Sequence, residues 1–293
     1  MGHRDAVRAM HFPKDELERQ SAQYQLVYQE LFLYQLRLQW MRQKRHQQTK
    51  GRAVLYDNAQ LKSFIQTLPF ELTDGQKKVV NEICFDLRAP YEMNRLLQGD
   101  VGSGKTIVAT IAMVATALTG KQAALMVPTE ILAEQHMLTI EKLIQGTSLK
   151  AVLLTGSMNR SQKKRKELLA QIESGEANLI IGTHALFQQD VNFKDLAFVV
   201  IDEQHRFGVQ QRQALAGKGA GVNVLQMTAT PIPRTLAITA FGEMDTSILS
   251  EIPRGRQPIK TSWVREQEME QIFNFVERQI QEGRQAYMIS PLI

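Results

Sequence analysis

The stretch "LLQGDVGSGKTIVAT", residues 96–110, carries the end of an apolar strand into three glycines, a lysine and a threonine, and then into small and branched residues. Glycine costs backbone entropy wherever it sits. Gly99, Gly102 and Gly104 therefore mark a loop whose backbone must approach something closely. The template G-x-x-x-x-G-K-[ST] is matched in full from Gly99 to Thr106. In such a P-loop the N–H groups of Gly99, Asp100, Val101, Gly102, Ser103 and Gly104 cradle phosphate oxygens. Lys105 reaches the β- and γ-phosphates, and the Thr106 hydroxyl holds Mg²⁺. The helix that starts here adds its positive end. A glycine-rich turn that binds nothing is the competing reading, and its context argues against it: Leu96 and Leu97 end a strand, while residues 107–118 read as a buried helix. A nucleoside triphosphate with Mg²⁺ is the expected ligand.

A chain of 293 residues has room for about two domains, and 43% hydrophobic with 22% charged residues is an ordinary globular composition. The single cysteine, Cys84, excludes an internal disulfide and fits a reducing cytoplasm. Its plainest role is that of a small buried apolar residue. No apolar run reaches the roughly 18 residues of a membrane span, and no signal-peptide core is present, so a cytoplasmic protein with no membrane partner is expected. The net charge of +5 is confined to residues 1–52, where ten Lys/Arg face five Asp/Glu; the remainder carries 25 of each sign. A modest basic excess is compatible with nucleic acid without requiring it.

From Pro13 to about His46 the spacing of Tyr24, Val27, Leu31, Tyr34, Leu38 and Met41 predicts one long helix with an apolar seam. The preceding "MGHRDAVRAMHFP" reads as the tail of a further domain. Between Leu72 and Gly242 short strands ("RLLQ", "QAALMV", "AVLL", "NLIIG", "AFVVID", "NVLQM") alternate with helical segments. That alternation predicts an α/β fold with a parallel sheet covered by helices, and ligands at the carboxyl ends of its strands. After "EIPRGRQP" two more strands, "IKTSWV" and "QAYMISPLI", are expected around one helix. The resulting division is 1–52 for the long helix, 53–250 for the nucleotide-binding lobe, and 251–293 for a linker with the start of a second lobe.

"AFVVIDEQHRFG", residues 197–208, delivers Asp202 and Glu203 to the end of a strand. Asp202 suits the shell of a magnesium ion on triphosphate oxygens, and Glu203 is the candidate base for an attacking water. An acidic pair capping the next helix is the alternative. The next strand ends in "MTATPIPRT", where Thr228 and Thr230 are placed to relay the state of the γ-phosphate elsewhere.

GDVGSGKT, "VPTEILAEQH", "TGS", "GTHALFQ", DEQH and TATP, in this order, resemble the motifs of superfamily 2 helicases. The wording "LLQGDVGSGKT", "DEQHRFGVQQR" and "MTATPIPRTLA" is similar to the RecG family of bacterial ATP-dependent helicases, which remodel branched DNA at stalled forks and junctions. The resemblance covers residue 70 to the end. It implies a RecA-like motor lobe, with Lys105, Asp202, Glu203 and His205 catalytic and His205 coupling the acidic pair to Thr228. It implies adenine recognition by "FELTDGQ" through Gln76, against which stands a plain helix N-terminus capped by Thr73. Pro128, Thr129, Glu130, Thr155, Gly156, Thr183 and His184 are implied as a track for the DNA backbone. The basic run Lys163, Lys164, Arg165 and Lys166 is either a further backbone contact or a solvated face.

The motor of a transcription-repair coupling factor is closely similar; Gln-His after Asp202 and Glu203 favours RecG, since that relative usually has Glu-Gln there. A nucleotide- and DNA-binding module without turnover is the alternative of a different class. The family's arginine-bearing motifs would lie beyond Ile293, so slow hydrolysis, little response to forked DNA and no unwinding are expected of these residues alone, with Arg234 the first suspect should turnover be fast. The whole protein is expected to be monomeric.

Overall fold

The computed structural model describes residues 1–48, 51–156, 162–202, 218–219, 221–230, 244–251, 261–265 and 269–290. Its contacts divide the chain into two units, Met1–Pro253 and Arg254–Ile293.

The first unit opens with two helices. α1 (His3–His11) ends before Pro13, and α2 (Glu16–Gln48) begins after it. Proline lacks the N–H that would continue a helix. The carboxylate of Asp15 accepts from the backbone N–H of Glu18 at 2.7 Å, which starts α2. The long helix is thus as expected, but the segment before it is also helical. Ala6 and Ala9 pack on Ala22, small enough for the two helices to approach closely. Of the seam foreseen on α2, only Leu38 is buried; Tyr24, Val27, Leu31, Tyr34 and Met41 are exposed.

The core of the unit is a seven-stranded sheet in the order β3-β4-β2-β5-β6-β1-β7. The strands are β1 (Asn94–Gly99), β2 (Gln122–Met126), β3 (Ala151–Leu154), β4 (Leu179–Gly182), β5 (Leu196–Ile201), β6 (Asn223–Thr228) and β7 (Asp245–Leu249). All pairings are parallel. β4 and β5 are apolar throughout, as strands covered by helices on both faces require. The two-residue period of a strand sends alternate side chains to opposite cores. Ala123, Leu125 and Val200 enter the larger core with Ile83, Ile111 and Met113, whereas Ala124, Met126, Val199 and Ile201 enter the other with Ile172 and Leu186.

Four helices flank this sheet: α3 (Asn58–Gln66), α4 (Asp74–Arg88), α5 (Lys105–Ala117) and α6 (Glu130–Ile144); α7 (Gln162–Ser174) follows β3. In α5 every residue except Thr106 is buried, which accounts for its small and branched composition. β7 is the strand absent from the sequence-based expectation. It lies at the sheet edge, and only Ser247 and Leu249 are buried, so its short polar run "DTSIL" lacks the apolar continuity of the others.

In the second unit α8 (Met269–Gln281) forms where a helix was expected, with no buried residue. The flanking strands do not form at 261–265 or 284–290. A strand gains its hydrogen bonds from a partner, and none pairs with these residues among those described. Among the described residues no helix is long and apolar enough to cross a membrane.

Arg95 on β1 ties sheet to helix. Its guanidinium lies 2.7 Å from the Asp86 carboxylate of α4 and donates to Ser247 Oγ of β7 at 2.8 Å, with all three residues buried. Replacing the arginine strands a buried carboxylate. We expect Arg95→Leu to cost about 3 kcal/mol in a urea titration; a loss below about 1 kcal/mol would show the pair to be dispensable.

Candidate nucleotide and nucleic-acid site

The loop between β1 and α5 is shaped by its glycines. Gly102 and Gly104 take positive φ angles of 76° and 91°. A Cβ on Gly104 would stand 2.2 Å from Gln76 Nε2, and one on Gly99 would stand 2.6 Å from Ser103 Oγ. Lys105 is buried, and its ammonium donates to the carbonyls of Gly99 at 2.7 Å and Asp100 at 2.9 Å. Ser103 Oγ is buried with no hydrogen-bond partner among the described residues. A cradle too tight for any side chain, a cation folded across it and an unsatisfied hydroxyl fit phosphate oxygens well.

Gln76 supports this loop from below. Thr73 caps α4 in a full capping box: its hydroxyl accepts from Gln76 N, and Gln76 Oε1 accepts from Thr73 N at 3.0 Å. The other end of the amide donates to the Ser103 carbonyl at 3.0 Å. The capping role and a contact with the P-loop are therefore both present. Phe70, half-exposed, lines a cleft of about 850 Å³ between α3 and α4, together with Leu72 and Lys77. Gln76 does not line it.

β5 and β6 bring the next groups to the same edge. The Asp202 N–H donates to Met126 O at 2.9 Å, which fixes that residue at the end of β5. Its carboxylate Oδ2 lies 3.3 Å from His136 Nε2 of α6. β6 pairs with β5 on one side and with β1 on the other, and Thr228 is level with Gln98. The hydroxyls of Thr228 and Thr230 lie 2.8 Å apart. Glu203 and His205, like Arg206, Phe207 and Arg234, lie outside the described residues. Among the described residues no group of three or more His, Cys, Asp or Glu could hold a metal ion.

A second cluster forms at the ends of β2, β3 and β4. Thr129 caps α6, its hydroxyl accepting from Leu132 N at 3.3 Å, between Pro128 and Glu130. Thr155 is buried at the end of β3. A Cβ on Gly156 would stand 3.4 Å from Glu130 Oε1 and 3.7 Å from the His184 ring, so these three segments converge. Thr183 Oγ1 is buried without a partner among the described residues, while His184 is exposed at the start of the 3-10 turn His184–Phe187. All seven residues of the implied track are thus on one side of the sheet edge. Of the basic run on α7, Arg165 turns inward to Asp190 at 2.8 Å and Gln188 at 2.6 Å, while Lys163, Lys164 and Lys166 are exposed. Lys218 clamps the same turn, donating to the carbonyls of Gln188 at 2.7 Å and Val191 at 2.8 Å; burial pulls its ammonium below the usual lysine range, with Asp190 opposing.

Three residues of this neighbourhood escaped sequence reasoning: His136, Lys218, and Glu251, whose carboxylate accepts from Gly75 N at 2.9 Å at the start of α4. His136 had a signal. Ala133, His136, Ile140 and Ile144 form one buried stripe on α6, and a polar residue in such a stripe must find a partner.

The model of the DEAD/DEAH box helicase family matches residues 73–238, more than half of the chain. The chain belongs to this helicase family. It is 51% identical over 288 residues to the ATP-dependent DNA helicase RecG of Bacillus subtilis, covering 98% of this chain and 42% of that protein. To RecG of Streptococcus pneumoniae it is 50% identical over 293 residues, covering 100% and 43%. A solved structure described as RecG bound to a three-way DNA junction aligns with a TM-score of 0.86 at 39% identity, over 98% of this chain and 38% of that one. The chain therefore spans less than half the length of these relatives.

The loop geometry separates two glycine substitutions. Gly120 has a φ of 79° with open space around its Cα, so Gly120→Ala should cost about 1 kcal/mol from conformation alone. Gly104→Ala adds displacement of Gln76 and loss of its bond to Ser103, so about 2 to 3 kcal/mol is expected. Chemical denaturation of both variants checks this; equal losses would mean that Gln76 yields without cost.

Proposed function

We propose that the chain is the ATP-driven motor lobe of a DNA helicase that remodels branched DNA such as forks and junctions, acting in repair and recombination as a cytoplasmic monomer. One observation carries this reading. A triphosphate cradle at the ends of β1, β6 and β5 stands beside a cluster of hydroxyls, N–H groups and one histidine at the ends of β2, β3 and β4. The similarity to RecG proteins supports the branched-DNA part. Residues 53–250 would form the lobe, 1–52 its preceding helices, and 251–293 a linker and the beginning of a second lobe.

In this reading Lys105 exchanges its two loop carbonyls for phosphate oxygens, and Ser103 Oγ finds the partner it lacks among the described residues. Thr106 and Asp202 would hold Mg²⁺, which when bound offsets the charge of the phosphates. Glu203 activates water, and His205 with Thr228 and Thr230 passes the state of the site onward. Gln76 would read the adenine edge by giving up the Ser103 carbonyl, with Phe70 beside it. On the track, Pro128, Thr129, Glu130, Thr155, Gly156, Thr183 and His184 meet the DNA backbone. They offer small dipoles rather than base-specific forks, as a motor indifferent to sequence requires.

Two titrations test these roles. Lys105→Ala should weaken MgATP binding about 10- to 100-fold, by loss of charge-assisted hydrogen bonds, while Glu203→Gln should leave it nearly unchanged. Equal weakening by both would refute the assignment. DNA binding should fall steeply with salt and not distinguish a sequence from its scrambled counterpart; a clear preference for one sequence would count against the backbone track.

A further inference from the structure

Asp202 is held twice by one segment of chain. Its backbone N–H bonds Met126 O at the end of β2, and its carboxylate approaches His136 on α6, the helix that follows β2. Between these two points lie Pro128, Thr129 and Glu130. Both side chains in the contact are largely buried, 11% exposed for His136 and 14% for Asp202. Ala133, Ile140 and Ile144 seat the same face of α6 in the core, so His136 cannot swing away without leaving its stripe.

We infer that His136 is a positioning residue for Asp202, and that it makes α6 the lever joining the backbone-binding cluster to the nucleotide site. The inference rests on the assignment of Asp202 to the metal shell. A carboxylate can turn about its terminal bond, and a ring nitrogen 3.3 Å from Oδ2 limits that rotation. Groups placed behind a metal ligand in this way change metal affinity by about 10- to 100-fold when removed. The geometry also sets a direction. A load on Thr129 or Glu130 pushes on the first turn of α6, and because the helix is one rigid element of 15 residues, the displacement reaches His136 and the carboxylate behind it. The alternative is that His136 only fills space.

The test measures binding of a fluorescent ADP analogue to the chain with Mg²⁺ and with EDTA, the ratio of the two affinities being the metal enhancement. His136→Ala should reduce the enhancement about tenfold with the EDTA affinity unchanged. His136→Gln, which restores a nitrogen at similar reach, should recover most of it. Ile140→Val trims the same buried face without touching Asp202 and should leave it intact, which holds even if His136→Ala folds poorly. Unchanged enhancement in His136→Ala, no recovery in His136→Gln, or an equal loss in Ile140→Val overturns the inference. A second arm adds a thymidine oligomer at saturation: the enhancement should shift in the unaltered chain and not in His136→Ala. No shift, or equal shifts, overturns the lever. If the unaltered chain binds no nucleotide at all, the assignment of the site itself fails, and this inference with it.

Discussion

A parallel strand must be followed by a crossover that returns to the starting edge of the sheet, so every strand ends where its neighbours end. In this chain that constraint brings Gly99, Thr155, Thr183, Asp202 and Thr228 to one edge, although more than a hundred residues separate the first from the last. The strand order then sorts them. β5, β6 and β1 are contiguous and carry Asp202, Thr228 and the glycine loop, while β3, β4 and β2 are contiguous and carry Thr155, Thr183, His184 and Thr129. Chain order alone does not separate the two sets, because β1 comes first and its partner β6 comes sixth.

Within the first set the loop is held in shape by neutral contacts. Gln76 spans from the cap of α4 to the carbonyl of Ser103, and Gly104 leaves room for that amide and nothing larger. The Lys105 ammonium donates to two carbonyls of this loop at 2.7 and 2.9 Å. A buried ammonium without partners would be expensive, and these carbonyls lower that cost while the site is folded. On the proposed reading, phosphate oxygens offer the Lys105 ammonium full negative charge where these carbonyls offer dipoles.

How much of this was legible follows from where each signal resides. The P-loop is a local pattern of eight residues, and its strand, turn and helix stand as read. Six strands announced themselves by continuous apolar runs. β7 did not, because an edge strand with one covered face needs only Ser247 and Leu249 inside. The helical α1 was missed for a similar reason: its contact with α2 rests on Ala6, Ala9 and Ala22, small residues that leave little hydrophobic periodicity. The strands expected after residue 258 differ in the other direction: at 261–265 and 284–290 apolar residues are present, but no partner strand lies among the described residues. The inward turn of Arg165 was beyond sequence reasoning, because Asp190 and Gln188 lie 25 and 23 residues away and meet it only through the fold.

That inward turn bears on how the second set can work. Arg165 and Lys218 both spend their charge fixing the turn at 188–191, next to the strand end that carries Thr183 and His184. The turn beside the proposed track is therefore stiffened by two cations, Arg165 largely buried and Lys218 partly so, and the track itself is made of Pro128, Thr129, Glu130, Thr155, Gly156, Thr183 and His184. A groove lined by outward lysines would hold phosphate strongly at every step, and each step would then have to break those contacts. Dipolar contacts are weaker singly, and a carboxylate among them lowers the hold further. On the proposed reading, the stiff frame keeps register along the backbone while the weak contacts let it advance, and the charges of Arg165 and Lys218 are engaged in the frame rather than on the backbone.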